Sequence, residues 1–226
     1  IETAVGVDST PAMLEIAKER SGGKNEGGGG NEVSFVHVRR DCTMDDFKSA
    51  VGGGPFDVVV SAFVFQYLEI DRRVELMKAL LSFSPTVLLA TWGDRTNVSF
   101  LRALQTFGTW KGAGGKGDIR TTKMSDGPES RGSFAMSEKG PFQFMAEKIG
   151  TECTFSYETR QLPLAFPNIA ALLRFLPFAT NDDDCSEMLK LLNHWKQDDS
   201  SISIDDETHE IRFQTEVVFC SFSKAE

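Results

Sequence analysis

Residues 5–18 read Val-Gly-Val-Asp-Ser-Thr-Pro-Ala-Met-Leu-Glu-Ile-Ala-Lys. This stretch decides the fold. Residues 3–7 are a short apolar run that suits a buried strand, and Asp8 closes it. Thr10-Pro11 then supplies a helix N-cap followed by proline at the first helical position, where the missing N–H costs nothing. Met13, Leu14 and Ala17 give that helix an apolar face. The same grammar repeats outward. Residues 33–38 alternate as a second strand, with Asp41 just beyond it. Residues 56–61, Phe-Asp-Val-Val-Val-Ser, form a third, and so continuous a valine run predicts a parallel strand buried on both faces. Residues 71–83 are helical, with Val74, Met77 and Leu81 on one stripe, and residues 86–91 are a fourth strand. Strands alternating with helices imply an α/β domain with a largely parallel sheet. Ligands of such sheets bind at the carboxyl ends of the strands. Asp8, Asp41, Ser61 and Trp92 fall at or just past those ends and should line one rim.

The second half is less regular. Residues 97–107 suit a helix, and residues 111–131 are rich in Gly, Ser and charge, as in a long loop or lid. Residues 141–149 form a helix with Phe142, Met145 and Ile149 inward and Gly150 as its stop. Residues 152–160 suit a strand. Residues 168–176 and 186–195 are apolar helices separated by the acidic turn Asp182-Asp183-Asp184. Residues 210–223 alternate as a final strand, whose charged alternate positions predict an antiparallel partner and one partly exposed face. The glycine-rich stretch 22–31 follows a helix rather than joining a strand to one, so it reads as a surface insertion, not a phosphate cradle.

Composition excludes several classes. At 226 residues the chain suits one domain, or one with an inserted cap. Apolar residues make up 40% and charged residues 25%, which argues against wholesale disorder. A formal net charge of -9 speaks against a nucleic-acid partner and against anionic membranes. No apolar window reaches the length of a membrane span. Cys42, Cys153, Cys185 and Cys220 make no CxxC pair and no zinc spacing. They read as structural thiols in a reducing compartment, with cytoplasm as the default.

Residues 5–18 resemble the second-strand motif of class I S-adenosylmethionine-dependent methyltransferases. Residues 56–61 resemble the fourth-strand motif. Residues 71–81, followed by Val-Leu-Leu-Ala-Thr-Trp-Gly at 87–93, are similar to the helix and fifth strand of that family. The small-molecule branch related to ubiquinone/menaquinone-biosynthesis methyltransferases is the nearest in pattern. The likeness is dense over residues 5–93 and looser over 133–178. The antiparallel last strand fits as well. What the resemblance implies is a Rossmann-like methyltransferase sheet, mostly parallel, with an antiparallel last strand and a helical cap. Its single domain divides into a cofactor-binding core at 1–93, a cap and substrate region at 94–209, and a terminal strand at 210–226.

The resemblance also assigns roles. Asp8 accepts from both ribose hydroxyls of S-adenosylmethionine, since a carboxylate offers two acceptor oxygens; a helix-capping Asp is the competing reading. Ser9, Thr10 and Met13 follow it, Met13 packing either on the adenine face or in the core. Asp41 takes the adenine amino group, and the Cys42 backbone amide donates to a ring nitrogen. Ser61 and Phe63 meet the methionyl end. Gln66, Tyr67 and Trp92 reach a small-molecule acceptor, core packing competing for the aromatics. A sulfonium is already a good leaving group, so in-line alignment supplies much of the catalysis, and a base is needed only if the acceptor must lose a proton. His37 and His194 read as structural, His209 remains open, and no catalytic residue is assigned.

One family element is lacking. The glycine-rich loop after the first strand should stand ~20 residues before the ribose-binding acid, and residues 1–7 do not hold it. With Ile1 leading directly into a strand, the expectation is a truncated chain without its first strand. The second and fourth family strands are then left with open edges, and the expected cofactor affinity is weak or absent. Two other functions compete with methyl transfer: a non-catalytic methyltransferase-like interaction module, and an NAD-dependent oxidoreductase fragment. The acceptor and the oligomeric state are left open.

Overall fold

The computed structural model describes residues 3–21, 32–39, 41–52, 54–94, 97–122, 136–150, 153–176 and 179–224. The opening stretch folds as read: β1 (Thr3–Asp8), then α1 (Pro11–Arg20), then β2 (Glu32–His37). β1 and β2 pair in parallel over their whole length, Thr3 opposite Glu32 and Asp8 opposite His37. They form a two-stranded sheet of their own. The glycine-rich stretch 22–31 lies outside the described residues, as do residues 123–131 of the proposed lid; residues 111–122 are described and hold a helix end and a 3-10 turn at Ile119–Thr121 rather than an open loop.

A helix that the apolar pattern passed over comes next. Thr43 caps α2 (Met44–Val51): its hydroxyl accepts from the Asp46 N–H, and the Asp46 carboxylate reaches back to the Thr43 N–H. This reciprocal box satisfies two of the donors every helix start leaves open. Gly52, in the left-handed region, ends it. α3 (Ile70–Phe83) follows β3 (Val59–Ala62), and the Phe47 ring of α2 rests 6.2 Å from Phe83 of α3.

β3 and β4 (Thr86–Trp92) pair in parallel. The rest of the larger sheet is built on β7 (Ile211–Lys224). One edge of β7 carries β5 (Cys153–Phe166) antiparallel. Its other edge is shared by β4 at one end and the short β6 (Ile202–Ile204) at the other, both antiparallel. Every strand of this sheet except β7 therefore runs the same way, and the antiparallel last strand is present. β5 extends well past the predicted 152–160, carrying Pro163 on a strand paired only on one side, where the missing N–H is tolerated.

Because side chains alternate across a strand, β7 serves two cores on opposite faces. Phe213 and Ile211 bury against α4 (Ser99–Gly112), α6 (Ile169–Leu173) and α7 (Asp182–Trp195), with Phe107, Leu172 and Leu191 fully enclosed. Val218, Cys220 and Phe222 bury on the other face, beneath α3 and α5 (Lys139–Ile149), with Met77, Phe142 and Met145. The triad Asp182-Asp183-Asp184 is the first turn of α7 rather than a connecting turn. Asn181 caps it in a second reciprocal box with Asp184, and carboxylates at a helix start are favoured by its dipole.

The valine run departs from its reading. β3 begins at Val59 rather than at Phe56, and Val58 and Val60 are exposed, Val60 by 66%. Val60 stands opposite Leu88, itself exposed, on the face away from Met77. Among the described residues no helix covers this face at β3 and β4. Among the described residues β1 pairs only with β2 and β3 only with β4, which leaves each with one edge unpaired there. No helix of the described residues is long and apolar enough to cross a membrane.

Candidate functional site

Two clusters form at carboxyl ends of parallel strands. The first belongs to β1 and β2. Asp8 ends β1, and its Oδ1 accepts the Thr10 N–H at 2.7 Å. Asp8 thus satisfies a donor at the entrance of α1, where the Thr10 side chain makes no capping bond. The competing reading of Asp8 as a capping residue is therefore realised for one of its oxygens. Ser9 and Thr10 are exposed, and the Ser9 carbonyl oxygen lies 3.3 Å from the His37 imidazole, which ties the two strand ends together. Met13 is 53% exposed, so its thioether is a surface group and not part of the core. Only Leu14 of the α1 apolar face is buried.

Beyond β2 opens a cavity of about 480 Å³, lined by His37, Arg39, Asp41, Cys42 and Thr43 among others. Asp41 and Cys42 thus stand where the sequence placed them, but their polar groups are already in use. The Arg39 guanidinium donates to both Asp41 carboxylate oxygens, at 3.0 and 2.7 Å. That pairing holds the Asp41 carboxyl below the usual range. The Cys42 N–H donates to the Arg39 carbonyl at 3.1 Å.

The second cluster sits at the ends of β3 and β4. Ser61 is half-buried, in register with Leu89. Phe63 has φ +58°, a left-handed conformation that a bulky residue adopts only at a cost. Two contacts hold it there. Its N–H donates to the Ala90 carbonyl at 2.7 Å, and its ring stacks on Trp92 with centroids 3.9 Å apart. Trp92 in turn meets Phe100 edge-on at 5.0 Å, which anchors the pair in the core under α4. The chain then makes one 3-10 turn, Phe65–Tyr67, in which Gln66 is buried and Tyr67 is 48% exposed.

Two consecutive arginines of α3 hold these rim segments. Arg72 donates to the Cys42 carbonyl beside the first cluster. Arg73, only 8% exposed, donates from Nε to the Phe65 carbonyl at 2.9 Å and from Nη2 to the Gln66 carbonyl at 3.4 Å. Burial lowers the Arg73 pKa, but a guanidinium keeps its charge in proteins. The periodicity of α3 gave no reason to single out either arginine.

The alternation of β7 does not single out Glu216 either. Its carboxylate accepts from the Asp94 N–H at 2.7 Å and from the Asn97 side-chain amide at 2.9 Å, fixing the segment that leaves β4. Gly93 makes room for it: a Cβ there would lie 2.4 Å from the Glu216 Cγ and Oε1. The only sequence signal was a glycine directly after a strand. His209 has φ +60° in the turn between β6 and β7, where its N–H donates to the Asp205 carbonyl at 2.9 Å.

No protein-family model matches the sequence, and no curated protein matches it either. Solved structures do resemble it. The YcgJ protein of Bacillus subtilis superposes with a TM-score of 0.55 at 16% identity, over 100% of this chain and 83% of that one. A candidate methyltransferase from Bacillus halodurans C-125 superposes with a TM-score of 0.52 at 13% identity, over 99% of this chain and 84% of that one. The fold is mixed α/β with a parallel-dominated sheet, Rossmann-like as in these neighbours. In a fold of this kind both clusters lie where α/β sheets bind their ligands.

Proposed function

We propose that this chain serves S-adenosylmethionine-dependent methyl transfer to a small-molecule acceptor. The observation that carries the reading is the cavity at the end of β2, flanked by the Asp8 strand end, in a fold shared with a candidate methyltransferase. The donor set fits the cofactor in part. Asp8 has an oxygen free of the Thr10 N–H among the described residues, and a half-buried carboxylate of this kind suits a ribose hydroxyl. Ser9, Thr10 and Met13 border that position. Asp41 and Cys42 suit an adenine edge once Arg39 moves aside. Ser61 and Phe63 border the methionyl end.

When bound, the cofactor supplies a methyl group on a sulfonium, already poised to leave. The chain's own residues position and exclude water. Phe63 and Trp92 present a flat apolar wall braced by Phe100, and Gln66 and Tyr67 follow in the next turn of the chain. Alignment within such a wall is the main catalytic contribution that this chemistry asks for.

A second reading is a non-catalytic methyltransferase-like module. It is favoured by one observation: Arg39 engages both the Asp41 carboxylate and, through its carbonyl, the Cys42 N–H. Calorimetric titration separates the readings. Binding of S-adenosylmethionine, with no binding of NAD, supports the first. Binding that arises only in Arg39→Ala supports the second. Binding of NAD alone overturns both.

A further inference from the structure

The Gln66 side chain is a polar group without a partner. It is 1% exposed, and neither its Oε1 nor its Nε2 has a hydrogen-bond partner among the described residues. Burying an amide with nothing to bond is costly, so folded proteins pair nearly all such groups. Gln66 is not adrift in a loose loop. Arg73 clamps the carbonyls of Phe65 and Gln66 itself, and burying that guanidinium is a second cost at the same turn. Phe63, three residues earlier, is held in a left-handed conformation by the Trp92 stack. Three unfavourable features thus converge on residues 63–66 at the carboxyl ends of β3 and β4. Such features persist where the surrounding structure over-determines them, and they cluster at ligand sites.

We propose that the Gln66 carboxamide is the group that reads the acceptor. A carboxamide offers one acceptor and one donor side by side. It is matched by a ligand edge that carries a donor and an acceptor side by side in turn, as in a primary amide or a protonated carboxyl group. A carboxylate anion lacks the donor and satisfies only half of it. The stacked Phe63 and Trp92 rings supply a flat apolar surface, so the fitting class is a planar aromatic compound bearing such a neutral edge. Arg73 is the positioning residue, acting through the turn it clamps. This inference rests on the methyl-transfer reading for the word acceptor; the ligand class follows from Gln66 itself.

The test uses the whole chain with benzamide as probe, benzoate at pH 7 as its charged counterpart, and the variants Gln66→Leu and Arg73→Lys. Benzamide should bind the wild type, benzoate more weakly, and Gln66→Leu should weaken benzamide by about tenfold, the loss of one or two hydrogen bonds. Arg73→Lys should weaken benzamide while leaving the far-ultraviolet dichroism unchanged. Gln66→Leu should also melt higher by about 2–4 °C, since it removes an unsatisfied buried amide. Equal affinity of wild type and Gln66→Leu, equal binding of benzamide and benzoate, no binding of benzamide to the wild type, or a lower melting point for Gln66→Leu would each overturn the proposal. Failure of S-adenosylmethionine to bind the wild type, with the benzamide contrast intact, sinks the methyl-transfer reading and leaves the ligand class standing.

Discussion

The Phe63 ring lies 3.9 Å from that of Trp92, nearly parallel at 19°, although Phe63 must hold φ at +58° to reach it. The stack and the strain are one feature, because the ring contact is what makes the backbone conformation worth keeping. Truncation separates the two. Phe63→Ala loses the ring and keeps the strain, whereas Phe63→Gly loses both, since glycine populates positive φ freely. Phe63→Gly should therefore be the more stable of the two by about 1 kcal/mol in urea unfolding. Both should alter the Trp92 fluorescence. Equal stability of the two variants would show that the backbone is not strained there.

Gly93 and Glu216 make a second dependent pair. A Cβ at position 93 would push into the Glu216 side chain and break its bonds to the Asp94 N–H and the Asn97 amide. Gly93→Ala should cost about 1–3 kcal/mol, as overpacking does. Glu216→Ala already lacks both bonds, so the double variant should be less destabilised than the sum of the singles. Strict additivity in a double-mutant cycle would count against the clash.

Arg72 offers a test that needs no ligand. Its guanidinium donates to the Cys42 carbonyl from the first turn of α3. Removing it frees the segment that carries Cys42, whose thiol is half-buried and unpaired. Arg72→Ala should speed labelling of Cys42 by a thiol reagent, with Arg72→Lys in between. Labelling unchanged from wild type would show that the segment is held by something else.

Cys220 gives a pH dependence with a definite sign. Burial on β7 pushes its thiol up to about 12. An unfolded thiol ionises near pH ~8.5. Below that pH both states hold the proton and the contribution is fully present. As pH rises from there towards 12 the folded state alone keeps its proton, so stability falls. Urea midpoints measured from pH 7 to 10 should decline at the alkaline end, and the decline should be shallower in Cys220→Ala. Native protein at pH 8 should leave Cys220 unlabelled until urea is added. Prompt native labelling would contradict its burial.

The parts legible in sequence are those where one residue pattern leads to one local structure. Asp8-Ser-Thr-Pro marks a strand end and a helix start, and both are found. Ile211 to Glu216 alternate, and Arg212 and Gln214 face out while Ile211 and Phe213 face in. Asp182 to Asp184 misled because three adjacent carboxylates look like a turn until Asn181 is recognised as their cap. The site was harder, since its determinants come from different elements. Nothing in the spacing of α3 distinguishes Arg73 from an exposed arginine until the Phe65–Tyr67 turn is folded above it. Glu216 is one charged position in an alternating strand until Gly93 is brought beside it. Asp41 lies past the end of β2 and lines the cavity there, but its pairing with Arg39 two residues away is a side-chain event that strand periodicity does not encode.

Val60 departs furthest from the expectation of a strand buried on both faces. The valine run predicts burial on both faces, yet Val60 is 66% exposed, its neighbour Leu88 is 40% exposed, and β3 has an edge unpaired among the described residues. An apolar strand with unpaired backbone groups is a template for association, and natural edges are blunted by charge, lysine above all. Val60→Lys buries nothing new and removes an exposed apolar group, so folding stability should stay within about 0.5 kcal/mol of wild type. Light scattering on heating should fall, and the onset of aggregation should move to higher temperature. A companion change on the covered face, Leu89→Lys, puts a charge at a position only 2% exposed and should unfold the protein outright. If Val60→Lys destabilises as severely as Leu89→Lys does, the β3 face is covered in solution.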